Sequence, residues 1–214
     1  MTRFDVAELA PADRYKLLSS LVVPRPIALV STRGPTGVVN AAPYSFFNVF
    51  SEDPALVVLG LQHHADGTFK DTTRNIRDTG VFVVNLVDAE LAAAMNVCAA
   101  AVPPEASEPA LAGLTPVPSA WVDAPRLAEA PASLECRRYV SLEVGPGRQL
   151  VCGEVLAVHV RAGLVDPATL RLDRQRYAPV GRLFGDLYCR TDDVFALTRP
   201  EAAALWPAPP LPEA

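Results

Sequence analysis

The sequence lacks the features by which proteins usually bind polyanions or membranes. Its 19 Lys and Arg are outnumbered by 24 Asp and Glu, the formal net charge is −5, and the basic residues form no run. Nucleic acid and anionic membrane surfaces are therefore disfavoured as main partners. No apolar run approaches the ~20 residues that a membrane-spanning helix needs, and residues 1–16 lack the apolar core of a signal peptide. We expect a cytoplasmic protein that acts on small molecules.

Residues that would build a metal centre or a disulfide framework are few and scattered. No C-x-x-C pair occurs, and none of the three histidines has a partner at metal-ligand spacing. His63 and His64 are neighbours, so in a strand they would point to opposite faces and would not share a metal. We predict no metal site and expect the cysteines to be buried as small hydrophobic side chains. They are Cys98, Cys136, Cys152 and Cys189.

The signature motifs of several large enzyme classes are also missing. The chain contains no G-x-G-x-x-G, G-x-x-x-x-G-K-[ST], G-x-S-x-G or H-E-x-x-H, so Rossmann, nucleoside-triphosphate and serine-hydrolase chemistry has no local support. Two adjacent acid pairs occur, Glu52-Asp53 and Asp192-Asp193. Both lie among turn residues, which favours solvated carboxylates over catalytic ones.

What the sequence does contain is a series of short strand patterns separated by turn residues. Apolar runs at 27–30, 55–61 and 81–87 are typical of buried strands, and 134–143 with 149–160 flank a glycine-rich tight turn. The turn residues after 30 predict a first hairpin, whose second strand enters the stretch 40–48. These patterns predict an antiparallel barrel, closed upon itself.

Short helices and irregular segments are predicted between the strands. Helical spacing begins at residue 12 and again at Lys70, where Asp71 or Thr72 would cap a helix that ends at Gly80. A third helix is predicted from Asp88, its cap, to about Ala101.

Three further segments are predicted to be irregular or only partly helical. Residues 49–54 are interpreted as a turn, and 166–198 as containing one polar helix. The proline-rich connection at 103–131 is expected to pack over the barrel or a partner subunit. We predict one domain over residues 1–200 and an Ala/Pro-rich tail over 201–214.

The stretch 40–48, NAAPYSFFN, combines small, polar and aromatic residues. Small side chains let a flat ligand approach the backbone, while amides and a hydroxyl offer hydrogen bonds and aromatic rings offer apolar walls. The polar candidates are Asn40, Ser45 and Asn48, and the aromatic ones are Tyr44, Phe46 and Phe47. A bulged hairpin with its aromatics in the core explains this stretch equally well.

Two further segments carry groups that bind phosphate. Ser31-Thr32-Arg33 and Lys70-Asp71-Thr72 supply hydroxyls, cations and the amides of a helix N-terminus, where the helix dipole favours an anion. If the stretch 40–48 holds a flat ring while these groups hold a phosphate, the ligand is a phosphorylated planar heterocycle, and flavin mononucleotide (FMN) fits. Lys70-Asp71-Thr72 alone is better explained as an exposed helix start.

An ordered set of segments then resembles a known family. The resemblance rests on 25–32, 40–48, Lys70-Asp71-Thr72 with Asn75-Ile76, and 82–86, and continues through 95–96, 113–116, 134–136, 153–155 and 181–188. In this order the segments are similar to the flavin reductase-like, FMN-binding split-barrel family, which includes flavoredoxins. The resemblance covers the chain from about Tyr15 to Pro200.

The resemblance implies a mainly β, Greek-key antiparallel split β-barrel that forms a homodimer with FMN near the subunit interface. It implies flavin contacts by Ser31, Thr32, Asn40, Ala41, Ala42, Ser45, Phe46, Phe47, Asn48, Lys70, Asp71 and Thr72. FAD also fits if the 101–131 connection leaves room for an adenosine.

The implied activity is electron transfer from NADH or NADPH through flavin to free flavin or another acceptor, in some members for a partner oxygenase. The flavin performs the hydride chemistry, and the protein contributes positioning and electrostatics. One alternative is a flavin-binding electron carrier without NAD(P)H activity of its own. Another is a barrel without enzymatic activity that holds haem or a deazaflavin.

Arg182 and Tyr188 are candidates for the outer face of the site, where a nicotinamide or substrate would stack. An arginine guanidinium can donate two parallel hydrogen bonds to a phosphate or carboxylate. Glycines on both sides of Arg182 would let its loop close. The alternative is a surface or interface ion-pair residue. Phe184 departs from the family pattern, which has a glycine before Gly185. The substrate preference of the family is therefore not carried over to this chain at this position. His159 is interpreted as a hydrogen-bonded barrel residue rather than an acid or base.

Overall fold

The structure, a computed structural model, describes residues 1–206 and is mainly β with short helices. The helices are α1 (Pro11–Leu21), α2 (Asp71–Thr79), α3 (Ala92–Val97), α4 (Glu108–Leu111) and α5 (Ala202–Leu205), preceded by a 3₁₀ turn at Val6–Glu8. The strands are β1 (Ala28–Arg33), β2 (Val39–Tyr44), β3 (Phe47–Glu52), β4 (Ala55–Gln62), β5 (Val81–Leu86), β6 (Pro116–Val117), β7 (Arg126–Leu127), β8 (Ala132–Glu143), β9 (Arg148–Val160), β10 (Val180–Arg182) and β11 (Tyr188–Arg190). Residues 207–214, the end of the predicted Ala/Pro-rich tail, lie outside the described residues.

Seven strands form one antiparallel sheet in the order β2-β1-β5-β8-β9-β4-β3. The strands at its two edges, β2 and β3, are consecutive in the chain and are joined by Ser45 and Phe46 alone. The sheet must therefore curl until its edges meet at these two residues. Within residues 1–206, β2 and β3 do not pair with each other, so the barrel is split here and not closed. The predicted split barrel is confirmed, and the closed barrel expected from the strand pattern alone is wrong. We call this place the seam.

Apolar side chains on both faces of the sheet build the core. The cluster inside the barrel includes Val30, Phe82 and Val151, and a second cluster on the other face of β1 includes Leu29 and Leu127. Strand β1 contributes to both clusters because its successive side chains alternate between the faces. Residues 28–32 are consequently all buried. The apolar run at 27–30 predicts this for residues 28–30, and the burial extends over two further polar residues.

Several local predictions differ from the structure. Residues 47–52 form β3, not a turn over 49–54, because Val49 and Phe50 favour strand although they are exposed. Val49 pairs with Val57 of β4, and Phe50 forms a bulge before the pairing resumes at Ser51. Helix α2 begins with Lys70 as N-cap and has no side-chain cap bond from Asp71 or Thr72. The third helix is shorter than predicted, covering only Ala92–Val97, although the Asp88 carboxylate does accept the Leu91 N–H.

The polar helix predicted within 166–198 is absent from that segment. Asp166 and Asp173 bond instead to backbone N–H groups two residues ahead, at 2.8 and 2.9 Å. Such bonds offer the backbone an alternative to a helix. Only short strands and turns result.

The connection at 103–131 packs over the barrel, one of the two predicted possibilities, and a buried carboxylate anchors it. Glu135 in β8 is fully buried and accepts the N–H groups of Ala120 and Trp121, both at 2.7 Å. His159, on the neighbouring strand, contacts the same carboxylate at 2.5 Å. His159 is thus a hydrogen-bonded residue of the barrel, as the sequence predicts.

Acid should weaken this anchor. Burial alone would raise the pKa of Glu135, but the two backbone N–H groups and His159 more than offset it, so its pKa lies below the ordinary value. A lowered pKa in the folded state gives stability that is present above the unfolded pKa and is lost as pH falls through the folded one. Wild type should therefore lose more thermal stability than Glu135→Gln between pH 7 and pH 3. Equal losses in thermal melts of the two proteins would contradict this, and Glu105→Gln is the control.

Three of the four cysteines are buried, as predicted, and Cys189 is partly exposed. Among residues 1–206, no helix is long and apolar enough to cross a membrane.

Candidate functional site

A cleft of about 270 Å³ opens beside the seam, between β2, the start of α2 and the segment that follows α3. Its walls come from sequence-distant segments: residues 40–44 on β2, 70–72 at the N-terminus of α2, 98–102 after α3, and Glu108 on α4. We call it the first cleft. Because strand, helix start and connection all converge here, the cleft exists only in the folded chain.

A chain of hydrogen bonds organises one wall of the first cleft. The Asn40 carbonyl oxygen Oδ1 accepts the hydroxyls of Thr72 at 2.8 Å and Thr32 at 3.3 Å. The Thr32 hydroxyl accepts in turn from the Asn75 amide at 2.9 Å. The Asn40 amide nitrogen Nδ2 donates to Glu108 Oε1 at 2.9 Å. Since each bond fixes the next donor or acceptor, the polar groups of this wall have defined orientations.

Positive and negative groups face each other in the first cleft. Within the described residues, Lys70 has no ion-pair partner, whereas the neighbouring Asp71 is held by Arg74 at 2.8 Å. In the part of the chain that the structure describes, no side chain caps the first amides of α2. These amides and the Lys70 ammonium together form a place for an anion.

Burial and the cleft's carboxylates shift the pKa of several groups in the same direction. Burial, together with the charges of Glu108 and Asp71, raises the pKa of Tyr44 to about 12. Burial and Glu108 raise the pKa of the Cys98 thiol to about 11. Burial likewise raises the pKa of Glu108 itself. Tyr44 and Cys98 are therefore neutral at physiological pH and serve as walls rather than as charged groups.

A second cleft of about 370 Å³ adjoins the first and shares Pro43, Tyr44 and Lys70 with it. Two further aromatic side chains line it, Tyr15 and Phe46, with ring centroids 6.2 Å apart. Among residues 1–206, the charged side chains that line the second cleft are Lys70 and Arg148, and none is a carboxylate. It offers apolar ring surfaces beneath a positively charged rim.

One glutamine in the wall of the second cleft has a buried side-chain oxygen without a hydrogen bond in the described residues. Gln149 lines it and is 3% exposed, and its Oε1 has no hydrogen-bond partner in the described part of the chain. A buried carbonyl oxygen without a donor is costly.

Most of the predicted cofactor residues lie at these two clefts. The first cleft is lined by Asn40, Ala42, Lys70, Asp71 and Thr72, and the second by Ser45 and Phe46. Thr32 lies behind the first cleft and reaches it through Asn40.

The remaining predicted cofactor residues lie elsewhere. Ser31 is fully buried and donates to the Pro125 carbonyl at 2.5 Å, on the face of β1 opposite Thr32. The Ala41 and Phe47 side chains belong to the apolar clusters, although the Ala41 N–H reaches Glu108. Asn48 is exposed and lines a separate hollow beside α1.

Arg182 and Tyr188 form a closed pair within the β10–β11 hairpin and line neither cleft. The Arg182 guanidinium lies 4.5 Å from the centroid of the Tyr188 ring and donates to its hydroxyl and to the Gly185 carbonyl. Arg25 ties this hairpin to the seam by donating to Leu183 O at 2.9 Å and to Ser45 Oγ at 3.2 Å. The structure thus does not bring the proposed outer-face residues to the clefts.

Sequence reasoning missed Glu108, the buried acid of the first cleft. It precedes Pro109 at the start of a predicted irregular connection, a context typical of an exposed helix start. Its partners Asn40 and Ala41 lie 68 and 67 residues away, so no local pattern reveals them. Among the described residues, no group of three or more His, Cys, Asp or Glu side chains could hold a metal ion.

Comparison with known proteins gives a consistent result over nearly the whole chain. Residues 19–181 match the family described as the flavin reductase like domain. The protein BH2278 of Halalkalibacterium halodurans is 40% identical over 197 residues, which cover 90% of this chain and 93% of that protein.

Two solved structures are similar in both sequence and fold. The 2-nitrobenzoate 2-nitroreductase NbaA of Pseudomonas fluorescens is 39% identical with a TM-score of 0.86, covering 93% of this chain and 96% of that chain. Component B of nitrilotriacetate monooxygenase from Bacillus cereus is 36% identical with a TM-score of 0.88, covering 92% and 98% of the two chains.

Proposed function

This chain belongs to the flavin reductase-like domain family, and on that premise we propose that it binds FMN across the two clefts and transfers electrons from NADH or NADPH. The observation that carries the proposal is the pair of adjoining clefts at the seam. One offers a lysine and helix amides that have no side-chain partner within residues 1–206, and the other offers aromatic walls. A phosphorylated planar ring needs both.

The phosphate end of FMN suits the first cleft. Lys70 and the first amides of α2 supply positive charge and N–H donors, and the Thr72 hydroxyl lies beside them. Charged donors of this kind make the stronger hydrogen bonds to phosphate. The Asp71 carboxylate, which would oppose a phosphate, is partly neutralised by Arg74.

The ring of FMN suits the second cleft. Tyr44 and Phe46 offer apolar surface, and Lys70 and Arg148 place positive charge at the rim. When bound, flavin supplies the hydride and electron transfer. The chain's own residues bind the ring, keep water from its faces and place cations where negative charge develops. The clefts, at about 270 and 370 Å³, together fall within the ~300–1,000 Å³ of small-molecule sites.

We further propose a cytoplasmic homodimer in which flavin lies near the subunit interface. Val49 and Phe50, on the edge strand β3 beside the seam, are 69% and 68% exposed. Adjacent exposed apolar side chains on an edge strand favour coverage by another chain. Sedimentation equilibrium of the purified protein tests this, and a monomer at all concentrations would refute it.

The electron acceptor is proposed as free flavin or a small molecule. Component B of nitrilotriacetate monooxygenase is by name one part of an oxygenase system, which supports a partner oxygenase for this chain too. A flavin-binding electron carrier is the second candidate, because Arg182 and Tyr188 bond to each other and offer no open nucleotide site.

An absorbance experiment tests these proposals. The purified protein is mixed with FMN, freed of excess flavin, and then treated anaerobically with NADH and, separately, with NADPH. We expect a retained flavin band that one nucleotide bleaches. A retained band that neither nucleotide bleaches would favour the electron carrier. Absence of FMN binding, checked by titration of flavin fluorescence, would refute the proposed cofactor.

Replacing Lys70 by methionine should weaken FMN binding. The substitution keeps most of the side chain's length but removes the charge. A lost charged hydrogen bond corresponds to a decrease in affinity of about tenfold or more. Riboflavin, which lacks the phosphate, should lose much less affinity than FMN, because Lys70 then acts only at the rim of the ring cleft. Fluorescence titration with both ligands makes the comparison, and Lys16→Met, an exposed lysine on α1, is the matched control. An equal loss for riboflavin would show that Lys70 does not act on the phosphate.

A further inference from the structure

We propose that Arg25 is a positioning residue of the second cleft, which makes the Ser45 hydroxyl a hydrogen-bond donor toward the bound flavin ring. The inference rests on the proposed function, because it concerns how the cleft assigned to the ring holds that ring. It gives a role to a buried cation that lies behind the cleft wall and is not one of the predicted cofactor residues.

The position of the Arg25 guanidinium is fixed by the main chain. The residue is 6% exposed. Its Nη1 donates to the carbonyls of Ser19 at 2.5 Å and Val22 at 2.9 Å, near the end of α1. Its Nη2 donates to the Leu183 carbonyl at 2.9 Å, between β10 and β11. Because the guanidinium is planar and both terminal nitrogens are held, its third nitrogen, Nε, points in a fixed direction.

This fixed Nε donates to Ser45 Oγ at the seam, at 3.2 Å. Ser45 lines both the second cleft and the hollow beside α1, whereas Arg25 lines the hollow and not that cleft. The Arg25 N–H therefore reaches the Ser45 oxygen from the side of the hollow.

The contact with Arg25 also decides what the Ser45 hydroxyl can do. An arginine has no acceptor, so the hydroxyl cannot donate its hydrogen back to Arg25. In the described residues the hydroxyl donates to no other side chain or carbonyl. Its hydrogen is therefore free to turn into the second cleft, where it would meet an acceptor of the ligand.

The positive charge of Arg25 strengthens this donor. The four acceptors of Arg25 are three main-chain carbonyls and one hydroxyl, so all are neutral. A hydrogen bond from a cation is stronger than one between neutral groups, and successive hydrogen bonds polarise one another. A flavin ring carries oxygen and nitrogen acceptors along its edge, and reduction adds negative charge to them. A polarised hydroxyl that donates to this edge stabilises the reduced ring.

Two substitutions test the two ends of this contact. Arg25→Lys keeps the positive charge but replaces the planar guanidinium by one ammonium group, which cannot reach the three carbonyls and Ser45 together. Ser45→Ala removes the proposed donor and leaves Arg25 in place. Arg126→Lys is the matched control, since Arg126 also donates to a main-chain carbonyl, that of Pro118 at 3.0 Å, and lines neither cleft.

The experiment measures the affinities for FMN and riboflavin by fluorescence titration and the midpoint potential of bound FMN by spectroelectrochemistry. We expect Arg25→Lys and Ser45→Ala each to weaken both ligands by the same factor, about two- to tenfold, because both ligands carry the ring. Each variant should shift the potential to a more negative value. Because Arg25→Lys keeps the charge, its shift reflects the hydroxyl. In a double-mutant cycle, Arg25→Lys should add little to Ser45→Ala.

Several results would overturn the role of Arg25 while leaving the proposed function intact. They are wild-type affinity and potential in Arg25→Lys, fully additive losses in the cycle, and an unchanged potential in Ser45→Ala. A loss for FMN without a loss for riboflavin would place the effect at the phosphate and overturn it as well. A wild-type protein that binds no FMN would refute the proposed function, and this inference with it.

Ser45→Ala decides if Arg25→Lys does not fold by circular dichroism. Among the hydrogen-bond partners of Arg25 in residues 1–206, only Ser45 lines the second cleft. Unchanged riboflavin affinity in Ser45→Ala would therefore refute the inference. A loss of affinity together with a more negative potential would support it.

Discussion

Replacing Asn85 by alanine should lower the free energy of unfolding by about 3–5 kcal/mol, because buried polar groups would lose their partners. Asn85 in β5 is fully buried. Its Nδ2 donates to the Leu29 carbonyl at 3.0 Å and the Ser31 hydroxyl at 2.9 Å. Its Oδ1 accepts the Leu127 N–H and the Ser133 hydroxyl, both at 2.9 Å. One side chain thus joins β1, β7 and β8 within the core.

Urea unfolding followed by circular dichroism measures the loss. Asn48→Ala is the control, because Asn48 is an exposed asparagine on β3 whose side-chain bond is to the adjacent Val49 N–H. We expect the control to stay within about 0.5 kcal/mol of wild type. A loss below about 1 kcal/mol for Asn85→Ala would mean that water or a shifted Ser133 replaces the missing amide.

Gly153→Ala should destabilise the barrel by about 3 kcal/mol through overpacking. A Cβ at Gly153 in β9 would overlap Phe82 Cζ, lie 2.9 Å from Phe82 Cε1, and lie 3.3 Å from Cys136 Cβ. Phe82 is fully buried and has no free space into which to turn. The ring and the strand would have to separate, and the interior cluster would lose its close packing.

Thermal unfolding of Gly153→Ala and Gly34→Ala gives the comparison. At Gly34, a Cβ would meet its nearest atoms at 3.6 Å, an ordinary contact, so this control should melt near the wild-type temperature. Combining Gly153→Ala with Phe82→Leu should recover part of the loss, since the smaller side chain leaves room. No recovery would show that the strand backbone, and not the ring, resists the new methyl.

Strand patterns in the sequence predict most of the sheet. The apolar runs predicted at 27–30, 55–61 and 81–87 lie on β1, β4 and β5, because continuous apolar residues suit a sheet covered on both faces. The same reasoning does not predict β3, because its Val49 and Phe50 are exposed and the turn-forming residues Asp53 and Pro54 follow the strand. The resemblance to a split-barrel family, not the local pattern, predicts the open barrel.

The candidate site is predictable only where its residues are close in sequence. Asn40 and Thr72 stand out locally, as small polar residues beside a strand and at a helix start. Glu108 does not, because its hydrogen-bond partners Asn40 and Ala41 lie on β2, 68 and 67 residues earlier in the sequence. Ser31 and Thr32 show the opposite problem: they are adjacent in sequence, but strand alternation sends one into the core and the other toward the cleft.

The seam has a consequence for the order of folding. Strands β2 and β3 are neighbours in the chain but occupy opposite edges of the sheet, so the barrel closes at the seam only after the strands between them have assembled. Loop-closure entropy delays such non-local structure relative to local hairpins like β8–β9. Both clefts lie at this late-forming place. A nascent chain would therefore acquire its binding surface last, and a ligand that recognises the finished clefts would capture completed molecules without guiding the earlier steps.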